Sequence, residues 1–353
     1  MCKLYKNNYD NKEAVVLYSS GTTGKAKGII LSHSAISLNA DLIAEYMLLS
    51  DNDCLYMVKS LSHSSTLIGE LLVGLKNQIK MLISPTINNP RAILENINKY
   101  GVTTICVNPS LLDLFSFTAS MKKIEFNTLK TIYTSGAVAK ERLLVKAHNV
   151  FPGVDILNVY GLSEAGPRVS AQRKNKNNII GSVGHPMRDV NIAIIGADGS
   201  QLEKMNKGII HVQTPCIFSG YISTKIPKKI FQNNWLNTGD IGYIDDDGNL
   251  FIVSRADNMI SIGSHNVYPE ELESEIMSIT KITDCIIIPQ KNEIQENKLI
   301  CFYVAQENMY NKLREFCIMN FASYEIPSKF IKIDNIPTTP NGKKIRSANM
   351  YHL

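Results

Sequence analysis

At 353 residues, 44% hydrophobic and 20% charged, the chain has a globular composition with room for two domains. Its net charge of +5 is mild, and its basic residues form short clusters such as Arg173-Lys174-Asn175-Lys176 and Lys228-Lys229, not the stripe that a nucleic acid calls for. Seven singly scattered cysteines argue against a disulfide framework or structural zinc and fit a reducing cytoplasm, while a polar start and the lack of any apolar run near roughly 18 residues give neither signal peptide nor transmembrane segment.

Short β-rich runs alternate with amphipathic stretches, the pattern of an α/β fold. Ala14-Val15-Val16-Leu17-Tyr18 reads as a buried strand leading into a glycine-rich loop, followed by a second strand at 28–31 and a helix at 34–49. Further strands are expected at 55–58, 78–83, 103–107 and 130–133, with helical segments between them. The clearest helix is 90–99, opened by Pro90 and carrying Ile93, Leu94 and Ile97 on one face. Beyond about residue 180 the pattern turns β-rich, with strands at 191–195, 208–212 and 242–244. Asp245-Asp246-Asp247 invites a metal reading, but Gly248 and the flanking apolar runs favour a hairpin turn. From Arg255 an α+β pattern begins, with helices at 269–277 and 311–320 and strands at 285–288 and 300–304. The expected division is a core domain over 1–254, β-rich from about 180, and a second domain over 255–353.

Residues 19–28 hold three glycines, four hydroxyl side chains and two lysines. Glycines let backbone N–H groups turn toward an anion at close range, and hydroxyls and lysines add donors, which suits a triphosphate. A Walker loop is excluded by spacing, because Ser19 stands where its first glycine belongs and Ala26 follows Gly24-Lys25. A P-loop kinase or NTPase is disfavoured for the same reason.

As it stands, Ser19-Ser20-Gly21-Thr22-Thr23-Gly24-Lys25-Ala26-Lys27-Gly28 resembles the phosphate loop of the adenylate-forming superfamily of acyl-CoA synthetases, luciferases and nonribosomal adenylation domains. Further segments match it in order. Tyr160-Gly161-Leu162-Ser163-Glu164 is similar to the family's Tyr-Gly-x-Thr-Glu, which implies Tyr160 near adenine, Ser163 on a phosphate oxygen and Glu164 as a ligand of Mg²⁺. Thr238-Gly239-Asp240 resembles the Thr-Gly-Asp whose carboxylate takes the ribose hydroxyls. Arg255-Ala256-Asp257, followed by Gly263 and Asn266-Val267-Tyr268-Pro269, is similar to the family's hinge, with Arg255 on ribose or phosphate and Asp257 absorbing the rotation. Pro340-Asn341-Gly342-Lys343 resembles the C-terminal Gly-Lys motif, and Lys343 would bridge the acid and the α-phosphate. Ser135-Gly136-Ala137 is similar to the turn lining the acyl and adenine pocket.

The resemblance implies a large domain of layered α/β sheets with a β-rich subdomain, followed by a small mobile α+β domain. It implies ATP and Mg²⁺ in an AMP-forming acid–thiol ligase, with coenzyme A or a carrier protein's phosphopantetheine as acceptor. His63 falls where acyl- and aryl-activating members often carry histidine and amino-acid-activating members carry aspartate, which points to an acyl or aryl acid. Two departures stand out. Ser264 replaces a glycine common along the thiol's path, and only 18 residues precede the loop, where the family usually carries much of a domain. The second implies a partner chain covering apolar surface, or a non-catalytic or split relative.

Overall fold

In a computed structural model, residues 12–19, 27–84, 89–137, 139, 141–222, 230–263, 265–279, 281–291, 297–338 and 344–351 are described. A hairpin comes first: β1 (Glu13–Ser19) runs antiparallel to β2 (Lys27–Ser32), with Ser19 opposite Lys27 at its mouth. Helix α1 (His33–Met47) follows at once, because the Ser32 hydroxyl accepts the Ala35 N–H at 3.1 Å and satisfies one open donor of the first turn. Leu48 ends it in a left-handed conformation, φ 49°, two residues before the expected boundary.

The main sheet contains seven strands. Five are parallel: β3 (Cys54–Met57), β4 (Lys80–Ile83), β5 (Thr104–Val107), β6 (Thr131–Thr134) and β7 (Asp155–Tyr160), in the spatial order β4-β3-β5-β6-β7. The short antiparallel strands β8 (Ser170–Ala171) and β9 (His185–Pro186) extend it beyond β7. Strand β4 starts later than residue 78 because Gln78 takes a φ of 53°, which a strand cannot continue.

Parallel strands need crossovers, and here helices supply them. Between β3 and β4 run α2 (Ser64–Thr66), a π-helical stretch (Leu67–Leu72) and α3 (Val73–Lys76). Next come α4 (Pro90–Tyr100), α5 (Pro109–Lys122) and α6 (Glu141–Val150). Asn89 and Asn108 cap α4 and α5 through their side-chain oxygens, with proline in each first turn. Alternation along the strands then fills both faces. Ile105, Val107, Ile132 and Ile156 pack with the inner sides of α4, α5 and α6, while Cys106, Tyr133, Leu157 and Val159 pack toward α1.

The β-rich part is built on β10 (Asn191–Ile195), β11 (Gly208–Gln213), β14 (Trp235–Ile244) and β15 (Leu250–Arg255), with β13 (Phe231–Gln232) at one edge. The strand expected at 242–244 is the end of this ten-residue β14, and the turn after it lies at Asp246-Asp247 as read from the sequence. Asp245 serves that turn by accepting the Asn249 N–H at 2.7 Å. Between them in sequence, β12 (Gly220–Tyr221) leaves this sheet and pairs with β2.

Residues 260–351 build their own cores. They contribute β16 (Ile260–Ile262), β17 (His265–Val267), α7 (Pro269–Ile276), β18 (Asp284–Lys291), β19 (Asn297–Val304), α8 (Tyr310–Asn320) and β20 (Lys329–Lys332). Strand β19 pairs antiparallel with β18 and parallel with β20. This unit touches the rest through side chains. Arg142 on α6 donates to the carbonyls of Met277 and Ile282, each at 2.9 Å, and Lys207 reaches Glu271 at 2.5 Å. The six described cysteines are buried and free, and no described helix is long and apolar enough to cross a membrane.

Candidate functional site

Ligands of open parallel sheets gather beyond the carboxyl ends of the strands. Two of the sequence motifs fall there. Ser135-Gly136-Ala137 leaves the end of β6, and Tyr160-Gly161 leaves the end of its neighbour β7. Ser135 is buried, whereas Gly136 and Ala137 are exposed. Taken alone, Tyr160-Gly161-Leu162-Ser163-Glu164 would pass for a helix entry, but the chain closes a strand at Tyr160 and makes a single 3₁₀ turn over Ser163–Ala165. Gly161 is required because a Cβ there would stand 1.9 Å from the Pro167 carbonyl oxygen.

From the facing sheet, β14 and β15 bring Asp240 and Arg255 opposite one another in register. Asp240 is the hub of this side. The Tyr160 hydroxyl donates to its Oδ2 at 2.6 Å, and Arg255 Nη1 donates to its Oδ1 at 2.8 Å and to the Thr238 carbonyl at 3.1 Å. Gly239 turns the motif at φ 70°, with Arg255 Nη2 3.0 Å from where a Cβ would sit. Burial, and then the Asp240 carboxylate, push the Tyr160 phenol well above its ordinary range, so it stays protonated and donating. The Asp240 side chain is only 13% exposed, yet each oxygen keeps a second lone pair for a diol.

A second group forms around Glu164, which is half-buried. Tyr221, carried by β12, donates its hydroxyl to Glu164 Oε1 at 3.0 Å, and Lys27 at the mouth of the first hairpin lies 5.7 Å from the Tyr221 ring centre. Burial and then Glu164 raise the Tyr221 phenol beyond any ordinary working pH. Ser163 shares a hydrogen bond of 2.8 Å with Ser64, the first residue of α2. His63 immediately precedes it, exposed, with partial desolvation of its ring and then Lys59 lowering its affinity for a proton. One carboxylate beside one hydroxyl suits Mg²⁺, which takes few protein ligands and keeps water and phosphate oxygens for the rest. No group of three or more His, Cys, Asp or Glu side chains gathers at a metal-sized site among the described residues.

The structure thus brings together His63, Ser163, Glu164, Tyr160, Gly161, Asp240, Arg255, Lys27 and the 135–137 turn, with Ser19 at the base of the loop. Ser20, Gly21, Thr22, Thr23, Gly24, Ser264 and Lys343 lie outside the described residues. The chain on either side of Lys343 is anchored. Thr338 bridges to Lys344, whose ammonium bonds Asp284 and the Cys285 carbonyl, and Arg346 grips Glu273 through both nitrogens at 2.6 and 3.0 Å. Sequence reading did not find Tyr221, Ser64 or Arg142, and none of them carries a local motif.

A parallel sheet, a facing β-rich sheet and a Tyr–Asp–Arg network at their junction define the adenylate-forming class. The family described as AMP-binding enzyme matches residues 6–222 and its C-terminal domain matches residues 271–343, and the chain belongs to this family. Among curated relatives, a 4-coumarate–CoA ligase of Humulus lupulus is 30% identical over 93% of this chain and 62% of its own length. A fatty acid–[acyl-carrier-protein] ligase of Streptomyces coeruleorubidus is 26% identical over 94% of this chain and 65% of its own. The o-succinylbenzoate coenzyme A synthetase of Bacillus subtilis, solved with ATP and magnesium, superposes with a TM-score of 0.83 at 25% identity over 94% of this chain and 68% of that one. The chain therefore spans about 62% of the length of curated relatives such as this 4-coumarate–CoA ligase.

Proposed function

We propose that the protein activates a carboxylic acid with ATP, forming an acyl-adenylate and pyrophosphate, and then passes the acyl group to a thiol of coenzyme A or a carrier protein in the cytoplasm. The observation that carries this reading is the Asp240 hub, a carboxylate held by Tyr160 and Arg255 with one lone pair on each oxygen left to accept from a diol. In the first step an acid oxygen attacks the α-phosphorus, the bond from that phosphorus to the bridging oxygen breaks, and pyrophosphate leaves with the electron pair. Little covalent work falls to side chains, so positioning and charge neutralisation carry the rate. Asp240 fixes the ribose, Ser163 donates to a phosphate oxygen, and Arg255 and Lys343 add positive charge. Glu164 would hold Mg²⁺, which neutralises phosphate charge when bound. In the second step the thiolate attacks the acyl carbon and AMP departs.

His63 lacks the permanent negative charge that pairs with an α-ammonium, which favours an acyl or aryl acid over an amino acid. The chain's share of its relatives' length keeps a second reading in play, a subunit that works only with a partner chain supplying the remainder. Acid-dependent exchange of labelled pyrophosphate into ATP tests both. Exchange by the chain alone, lost in Lys343→Ala with ATP binding kept, supports the first reading. ATP binding without exchange for any acid supports the second.

A further inference from the structure

Behind the acid side of this site lies a group of ionisable side chains that the adenylation chemistry does not use. Glu70, in the π-helical stretch that begins four residues after His63, is fully buried. Its Oε1 is ion-paired with Lys59 Nζ at 3.2 Å, and neither oxygen accepts a well-directed hydrogen bond from a described residue. Arg168, four residues after Glu164, is 3% exposed. Its Nε donates to the Tyr46 hydroxyl at 3.2 Å, and its backbone is tied on both sides to Asn39 of α1. Its two outer nitrogens donate to no described residue, and one lies against Gly69, next to Glu70. The Tyr133 and Thr66 hydroxyls beside this group are also buried without partners.

A buried carboxylate, guanidinium and ammonium are each costly unless paired, and unpaired polar atoms add to that cost. Burial raises the Glu70 carboxyl, while Lys59 and Arg168 pull it back down. In either protonation state the group is positive: Lys59 and Arg168 against one Glu70 leave a net +1, and a neutral Glu70 leaves +2. Such a group is completed by one anion with several acceptor oxygens, and a guanidinium with two open nitrogens suits a carboxylate held in a fork. The position is set by chain connectivity. His63 and Ser64 lead into the Glu70 segment, Ser163 and Glu164 lead into Arg168, and the Ser64–Ser163 hydrogen bond joins the two.

We infer that the acid taken by this site carries a second anionic group, a distal carboxylate received by Arg168 and Lys59, so that the substrate class is the dicarboxylic acids. The inference rests on the adenylation reading for where the reacting carboxylate lies. Glu70 orients Lys59, and the hydroxyls of Tyr46, Thr66 and Tyr133 offer donors to the incoming oxygens.

Calorimetric titration of the full chain, saturated with a non-hydrolysable ATP analogue, tests this without requiring turnover. The probes are glutaric, adipic and homophthalic acids, each against its monomethyl ester. At least one diacid is expected to bind about 10- to 100-fold more tightly than its ester, the loss for one buried charge-assisted contact. Arg168→Met and Lys59→Met should each narrow that ratio, and if one fails to fold the other still decides. A purely structural role would lower stability in these variants and leave the ratio as in the wild type. Esters binding as well as diacids, or neither binding, overturns the inference. Selective diacid binding with no pyrophosphate exchange upholds it and instead overturns adenylation by the chain alone.

Discussion

Replacing Asp240 by alanine isolates the contribution of the hub. Its two oxygens already accept from Tyr160 at 2.6 Å and Arg255 at 2.8 Å, which leaves one lone pair on each for the two ribose hydroxyls. Hydrogen bonds to a charged group contribute about 1.5–3 kcal/mol each, so two give about 3–6 kcal/mol. At about 1.4 kcal/mol per decade this is roughly 10²- to 10⁴-fold in nucleotide affinity. Tyr160 and Arg255 lose their acceptor in the same variant, so the bare affinity change would mix ribose recognition with local rearrangement. Comparing ATP with 2′,3′-dideoxy-ATP by equilibrium titration removes that ambiguity. The wild type is expected to discriminate between the two nucleotides by the factor above, and Asp240→Ala to bind them alike. A variant that still prefers ATP by more than tenfold would refute ribose recognition by this carboxylate.

Three further outcomes follow from the same geometry. Glu164→Gln is expected to raise the magnesium concentration needed for half-maximal exchange about tenfold or more, and Tyr221→Phe, which removes one neutral donor to Glu164, about fivefold, both read from magnesium titrations of pyrophosphate exchange. Glu273→Ala strips the part-buried Arg346 of a two-point partner and the buried Ile287 N–H of its acceptor, and should destabilise the 260–351 unit by about 2–4 kcal/mol in urea unfolding followed by far-UV circular dichroism. Burial works to raise the Asp53 carboxyl, but the N–H and hydroxyl of Ser50, with Thr103 and Lys130, outweigh it and hold the pKa at about 2 against an ordinary 3.8. The stability this contributes is therefore complete above the ordinary carboxylate range and is lost as pH falls toward 2, roughly 2 kcal/mol in all. The stability gap between wild type and Asp53→Asn should shrink across that window, and a constant gap would count against it.

The hub residues were legible because each sits in a short ordered motif whose chemistry constrains spacing, as Thr238-Gly239-Asp240 and Tyr160-Gly161 do. Their partners were not. Tyr221 meets Glu164 across 57 residues and Ser64 meets Ser163 across 99, and pairings at that range are set by how β12 lies on β2 and how α2 faces β7. The central strands were readable as apolar runs, except that β7 ends in the polar Asn158 and Tyr160 of a motif and so gave no clean strand signal. Helix α5 was obscured in a different way, since Leu114, Phe117 and Met121 leave apolar side chains on its exposed face and blur the periodicity. Strand β15 was implied only as the apolar run beyond the Asp247-Gly248 turn, and its pairing with β14 gives it its extent.

The hydroxyl pair of Ser64 and Ser163 has a directional consequence. At 2.8 Å one of the two hydroxyls donates to the other, and either can be the donor. Ser163 has a single hydrogen to give. Once a phosphate oxygen claims it, Ser64 must turn its own hydrogen toward Ser163, and its lone pairs then face away from the nucleotide. Arrival of ATP would in this way fix the direction of this hydrogen bond and leave Ser64 as an acceptor on its other side. Order of addition, read from initial-rate patterns with both substrates varied, is the kinetic form of that fixed direction.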